Sequence, residues 1–171
     1  ANEVNLVVNN TERLSVTSTG VDITGDVTVT GDTTTFTSSN TTDPLVIIKN
    51  TTNDTNGARL QFVKDKGAAG ADGDDIGIIE FVGDDAAQTE TTFAKIVAEV
   101  SEADNTDEAG KLSFFVAESD GTSTALTAGL VLEGEHATDG QVDVTIGAGA
   151  ASTTTIAGDL SITSKLIMND V

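Results

Sequence analysis

The sequence predicts an all-β fold, and three observations support this. Apolar, mostly β-branched residues alternate with Thr, Ser and charged residues along the chain, and this period of two is typical of half-buried strands. Gly, Asn and Asp interrupt the runs and indicate tight turns. The best helical candidate, 86–98, contains Thr89, Thr91 and Thr92, whose branched side chains favour a strand instead.

One short unit occurs near both ends of the chain. Ile-Thr-Gly-Asp-Val-Thr-Val-Thr-Gly occupies 23–31, and Ile-Ala-Gly-Asp-Leu-Ser-Ile-Thr occupies 156–163. In each copy two apolar residues alternate with hydroxyl residues after the Gly-Asp pair, which predicts a minimal strand with one apolar side. The two copies therefore bracket the rest of the chain with short-strand, shaft-like segments.

The strands predicted near the N-terminus are very short. Val4–Val8, Leu14–Val16, Val21–Ile23 and Val27–Val29 are mostly about three residues long, below the usual five or six. Such hairpins are not stable alone, and the repeats are too short and too few for a single-chain solenoid. We therefore expect identical chains to cover their apolar sides. The expected core of this assembly consists of Val21, Ile23, Val27, Val29, Ile156, Leu160 and Ile162.

Longer strands are predicted in the middle of the chain, at 45–49, 58–64, 76–82, 89–100, 112–116 and 126–132. Turn residues separate them, which indicates an antiparallel meander in a sandwich or barrel-like domain. A further short run, Val142–Ile146, resembles the terminal segments. The predicted organisation is an N-terminal shaft and linker at 1–43, an antiparallel β domain at 44–134, and a C-terminal shaft at 135–171.

The composition excludes several classes of partner. Eight Lys and Arg residues stand against 28 Asp and Glu, a formal net charge of −20. This balance argues against binding to nucleic acid or to anionic membrane surfaces. No apolar run approaches the roughly 20 residues that span a bilayer. Cysteine is absent, which excludes disulfides and thiol chemistry, and no motif indicates a cofactor.

No catalytic constellation is evident. His136 is the only histidine, and no Gly-x-Ser-x-Gly elbow is present to hold a nucleophile. Carboxylate pairs of the kind used by glycosidases arise by chance in a chain this acidic, and the Trp and Tyr on which sugars usually stack are absent. We expect a protein that is not an enzyme, with His136 in a solvated loop.

The stretch Asp72-Gly-Asp-Asp75 is a weak candidate for a cation site. Carboxylates are the ligands that Ca²⁺ prefers, so Asp72, Asp74 and Asp75 could contribute oxygens. The stretch lacks the spacing of an EF-hand loop and a distal bidentate Glu. A solvated loop is the favoured interpretation, and no metal is expected.

Two regions together resemble tailed-bacteriophage fibre proteins, especially those of marine phages. The pattern Leu-x-Val…Gly-Val-x-Ile-x-Gly-Asp-Val-x-Val-x-Gly at 14–31 is similar to their shaft repeats. The region 59–118, with Ile-Gly-x-Ile-x-Phe, Thr-x-Thr-x-Phe-Ala-Lys-Ile and Gly-Lys-Leu-Ser-Phe-Phe-Val, is similar to a β domain of the same proteins. The resemblance implies a rod-like, intertwined homotrimer in a virion appendage that contacts a host surface.

Two function classes follow. The first is a structural segment of a virion fibre, located outside the cell on a tail or capsid. Its expected partners are its own copies, other virion proteins and a host receptor or glycan. The second is a cellular surface adhesin or extracellular filament subunit, which would share the acidic, Thr- and Gly-rich composition. An exchanged strand would polymerise such a subunit head to tail, whereas a fibre closes around a three-fold axis.

Overall fold

The structure, a computed structural model, describes residues 4–8, 11–16, 20–136, 140–164 and 166–167. These residues form eight β-strands, and no helix occurs among them, so the predicted all-β class is confirmed. The strands are β1 (Val4–Val8), β2 (Thr11–Val16), β3 (Val21–Ile23), β4 (Asp75–Asp84), β5 (Glu90–Glu102), β6 (Ala109–Ser119), β7 (Thr124–Gly134) and β8 (Val142–Ile146).

The chain divides into two units between Arg59 and Leu60. The first unit contains a three-stranded antiparallel sheet in the order β1-β2-β3. Within it, Leu14 lies opposite Ile23 and Val16 lies opposite Val21. Three of the four strands predicted near the N-terminus are therefore formed.

The second unit contains a five-stranded antiparallel sheet in the order β4-β5-β6-β7-β8. Each strand pairs with its neighbour in sequence, which confirms the predicted antiparallel meander. The run Val142–Ile146, grouped with the C-terminal shaft on sequence grounds, pairs with β7 and forms the fifth strand.

Aspartate side chains organise two of the hairpin turns. Between β4 and β5, Asp85 Oδ1 accepts hydrogen bonds from the backbone N–H groups of Ala87 and Thr89. Between β6 and β7, Asp120 Oδ1 accepts from the N–H groups of Thr122 and Ser123. Hydrogen bonds to the charged form lower the pKa of Asp120, with the bond from Ser123 the largest cause.

Four irregularities interrupt the regular pairing of the large sheet. Ile76 in β4, Phe93 and Ser101 in β5, and Gly129 in β7 each have no directly opposite partner. A bulge of this kind shifts the alternation of side chains by one residue along its strand. In the predicted strand 89–100, Ala94, Ile96 and Ala98 therefore point to one side of the sheet as regular alternation requires. Phe93 has no opposite residue and interrupts this alternation.

Four predicted strands are not formed. Val27–Val29, Leu45–Lys49, Ala58–Lys64 and Leu160–Ile162 lie outside every strand of the structure, and their predicted strand conformation is wrong for the single chain. The apolar residues are still exposed, with Leu45 and Ile47 at 71% and 72%. A strand requires a neighbour to pair its backbone groups, and the described residues of the single chain supply none here.

Candidate assembly interface

One face of the five-stranded sheet is apolar over most of its extent, and Glu118 with Ala125 continues it at one end. Directly opposite residues on neighbouring strands point to the same side of a sheet, so the pairing defines three rows on this face. The rows are Gly77-Ala98-Leu112-Leu132-Val144, Ile79-Ile96-Phe114-Leu130-Ile146 and Phe81-Ala94-Val116-Thr127. None of these side chains is ionisable. We call these fourteen residues the apolar face.

The opposite side of the same sheet, called here the charged face, has a different composition. Its three rows are Glu99-Lys111-Glu133-Asp143, Ile78-Val97-Ser113-Val131-Thr145 and Glu80-Lys95-Phe115-Ala128. Lys111 forms an ion pair with Glu99. The hydrogen bond to Glu99 is the largest cause of a raised Lys111 pKa, and the charge of Glu133 adds to it.

The charged face shields its own centre. Among the described residues, Val97 at 7% exposure is the one buried apolar side chain, and Ser113 directly opposite it is 5% exposed. In one flanking row, Lys95 Nζ lies 4.8 Å from the centre of the Phe115 ring. Long charged side chains cover apolar surface with their stems while the charged ends stay in water.

The apolar face is half-buried along its centre, at Ile96, Phe114 and Leu130, but it is exposed toward its edges. Ile146 is 59% exposed, Val116 56%, Val144 55% and Phe81 54%. Covered apolar area stabilises a fold by about 25 cal/mol per Å², so this face leaves much of its stabilising capacity unused in the single chain. It is the strongest candidate for an interface in the second unit.

Part of the chain does lie over one corner of the apolar face. Leu60 and Phe62 line a shallow groove together with Ile79, Ile96 and Leu112. Phe62 approaches the backbone of Gly77 so closely that a β-carbon there would lie 2.8 Å from Phe62 Cβ. The glycine therefore permits a contact that any larger residue would displace.

The residues predicted from sequence as the trimer core are all exposed in the single chain. Val21 and Ile23 lie in β3, and the other five lie outside strands. Their exposed fractions are 57% for Val21, 49% for Ile23, 60% for Val27, 65% for Val29, 53% for Ile156, 62% for Leu160 and 43% for Ile162. They remain predicted contacts between copies.

The acidic loop at 72–75 uses its carboxylates in contacts with its own chain. Asp74 Oδ2 accepts hydrogen bonds from Lys66 Nζ at 2.5 Å and from the Ala71 N–H at 2.8 Å. Asp72 Oδ1 accepts from the Ala103 N–H at 2.9 Å, while Asp75 begins β4. Lys66 is the largest cause of a lowered Asp74 pKa. The Asp72 carboxylate thus joins the loop to the residue after β5, whereas the Asp74 carboxylate binds within the preceding segment.

His136 lies beside the loop that joins β5 to β6. Its Nδ1 is 3.3 Å from Asp107 Oδ2 and 3.9 Å from Glu102 Oε2. The hydrogen bond to Asp107 is the largest cause of a raised His136 pKa. The side chain is 48% exposed. This arrangement is an exposed acid–base pair.

Two other kinds of site are absent from the described residues. No cluster of three or more His, Asp or Glu side chains is arranged to hold a metal ion there. No helix there is long and apolar enough to cross a membrane.

Comparison with known proteins found no family model, no curated protein and no solved structure that matches this chain. Its function must therefore be inferred from the geometry of the chain itself and from the residue patterns described above.

Sequence reasoning did not identify the apolar face as an interface. The alternation within each strand was visible, but which sides of five strands coincide depends on the pairing between them. The one available signal was the absence of charge at alternate positions, as at Ile96 and Ala98 in β5 or Leu130 and Leu132 in β7.

Proposed function

We propose that this chain is a structural segment of a virion fibre: a homotrimeric, extracellular β-structured appendage that supports or mediates attachment to a host surface. In this proposal the short-strand segments form the shaft and the five-stranded sheet belongs to a sandwich or barrel-like domain between them. The partners are copies of the chain, other virion structural proteins and a host receptor or glycan.

The amount of uncovered surface is the observation that carries the proposal. The chain exposes 14640 Å², whereas a folded monomer of 17.4 kDa exposes about 7,900 Å². Exposed large apolar residues occur in both units, for example Val27 and Leu160. A chain that covers so little apolar surface by itself gains its stability from association, as obligate oligomers do.

Sequence patterns favour a fibre among such oligomers. The repeated unit at 23–31 and 156–163 places short apolar strips on both sides of the larger sheet along the chain. Three copies around an axis would cover these strips and supply the missing neighbours for segments such as Val27–Val29. The resemblance of 14–31 and 59–118 to phage fibres points to the same class of assembly.

One feature favours the second candidate, a cellular adhesin or filament subunit. β4 is an edge strand of 10 residues, Asp75–Asp84, and no described strand pairs with its outer side. A long apolar edge of this kind can accept a strand from another chain. If each subunit donates a strand to the next, the product is an open filament and not a closed trimer.

Molar mass and particle symmetry distinguish the candidates. We expect light scattering after size exclusion to give three times the chain mass of 17.4 kDa, unchanged on dilution, with three-fold particles in electron micrographs. Open filaments that lengthen with concentration would favour the second candidate, and a monomer would contradict both. Tail or capsid genes beside the coding gene would support the virion assignment.

A further inference from the structure

We propose that the apolar face of the five-stranded sheet is an interface between copies of this chain, each copy presenting this face to the next. The inference builds on the proposed homo-oligomeric fibre and assigns it a second contact region, beyond the short-strand segments predicted from sequence.

The distribution of charge identifies a copy of the same chain as the occupant. Each copy carries a formal charge of −20, so copies repel one another over most of their surface. The three rows of the apolar face contain no ionisable residue, whereas the charged face presents Glu80, Glu99, Glu133 and Asp143. Away from Glu118, which continues this side of β6 beyond Val116 and accepts a hydrogen bond from Thr127, two copies can approach through the apolar face without opposing carboxylates.

The size of the face supports the same conclusion. Five strands spaced about 4.8 Å apart and three rows about 6.8 Å apart define a plane of roughly 500 Å². That is near the upper end of the apolar patches that monomers leave exposed. The whole plane is also more than half of the roughly 800 Å² that each partner contributes to a standard interface, although Leu60 and Phe62 already cover part of it.

The cover within the chain is incomplete on one side. Leu60 and Phe62 reach only the region of β4, β5 and Leu112, while exposed Val144 and Ile146 in β8 lie at the other edge of the sheet. Leu130 and Leu132 in β7 are half-buried, so the exposed part of the face at β8 is the area assigned to a second copy.

Neighbouring residues of β8 provide a matched test. Val144 belongs to the apolar face and Thr145 to the charged face, and both are exposed in the single chain. Because the chain has no native cysteine, Val144→Cys and Thr145→Cys each introduce a unique thiol. In purified protein we expect N-ethylmaleimide to modify the Val144→Cys variant at least ~10-fold more slowly, because protected groups react only after opening. In denaturant the two rates should become equal.

Each result has a defined meaning when the molar mass of the same samples is measured. Slow modification of the Val144→Cys variant in an oligomer supports the inference. Equal rates in an oligomer overturn the inference but leave the proposed fibre intact, and equal rates in a monomer overturn both. Slow modification in a monomer also overturns it, because the cover then comes from the chain itself. Protection that appears only after addition of cell extract overturns it in favour of a different protein.

Discussion

Phe62 packs against the backbone of Gly77, across the start of β4. A β-carbon on Gly77 would lie 2.8 Å from Phe62 Cβ and 2.9 Å from its Cγ, closer than packed atoms tolerate. We expect Gly77→Ala to displace the 60–62 segment and lower the free energy of unfolding by about 1 kcal/mol, the lower end for overpacking, since Phe62 is not in a strand. Thermal or urea unfolding would measure this.

Gly129→Ala is the matched control for that substitution. Gly129 lies in β7 of the same sheet, and a β-carbon added there would meet no atom within 4 Å, so the added methyl group should cost less. In a Phe62→Ala background, Gly77→Ala should lower the free energy of unfolding by much less. The aromatic ring that the added methyl group would meet is then absent, so the two substitutions are not additive. Equal losses for Gly77→Ala and Gly129→Ala would contradict the packing.

The contact between His136 and Asp107 predicts a dependence on pH. Because the folded-state pKa of His136 is raised above its ordinary value near 6.5, the contact stabilises the fold fully below that value. The stabilisation disappears as the pH rises through the raised pKa. With a single histidine in the chain, an NMR titration of the imidazole yields one curve, and its midpoint should lie above 6.5.

Asp107→Asn tests the assigned cause of that shift. The hydrogen bond to Asp107 is the largest contribution to it, so neutralising this carboxylate should move the midpoint down toward the ordinary value. Glu108→Gln is the control, since it removes one charge from the same loop but not the group in contact with His136. An unchanged midpoint in Asp107→Asn would refute the assignment.

Assembly should be sensitive to salt. Copies that each carry −20 repel one another, and this repulsion destabilises the compact assembled state. Raising the ionic strength from about 0.01 M to 1 M shortens the Debye length from about 30 Å to 3 Å. We expect the melting temperature to rise with NaCl across this range. A flat response would count against the role assigned to charge.

The N-terminal short-strand segment should also contribute to the seam between copies. Val29 is 65% exposed in the single chain, so an aspartate there would cost little in a monomer. In a trimer Val29→Asp would bury three carboxylates near the axis, each costing more than the lost methyl groups. We expect it to reduce the assembled mass measured by light scattering, whereas Thr28→Asp should be tolerated. Equal masses for the two variants would refute the assignment of Val29 to the interface and of Thr28 to the solvent.

Sequence pattern alone predicted much of the large sheet. Alternation in segments such as 76–82, 112–116 and 126–132 identified the strands, since the period of two is a local property of extended backbone. It also established the acidic surface and the absence of a recognisable catalytic motif. The same alternation predicted strands at Val27–Val29 and Leu160–Ile162 that the single chain does not form, because pairing requires a neighbour that local pattern cannot supply.

The tertiary structure decided which side chains share a face. The unpaired residues Phe93 and Gly129 shift the alternation within β5 and β7, and a shift of one residue exchanges the two sides of a strand. The pairing also brought Val142–Ile146 into the sheet. The sequence determined that each strand has an apolar side. Only the register between strands aligned those sides into one surface. Register depends on hydrogen bonds between segments that are distant in the chain, and a local pattern does not contain this information.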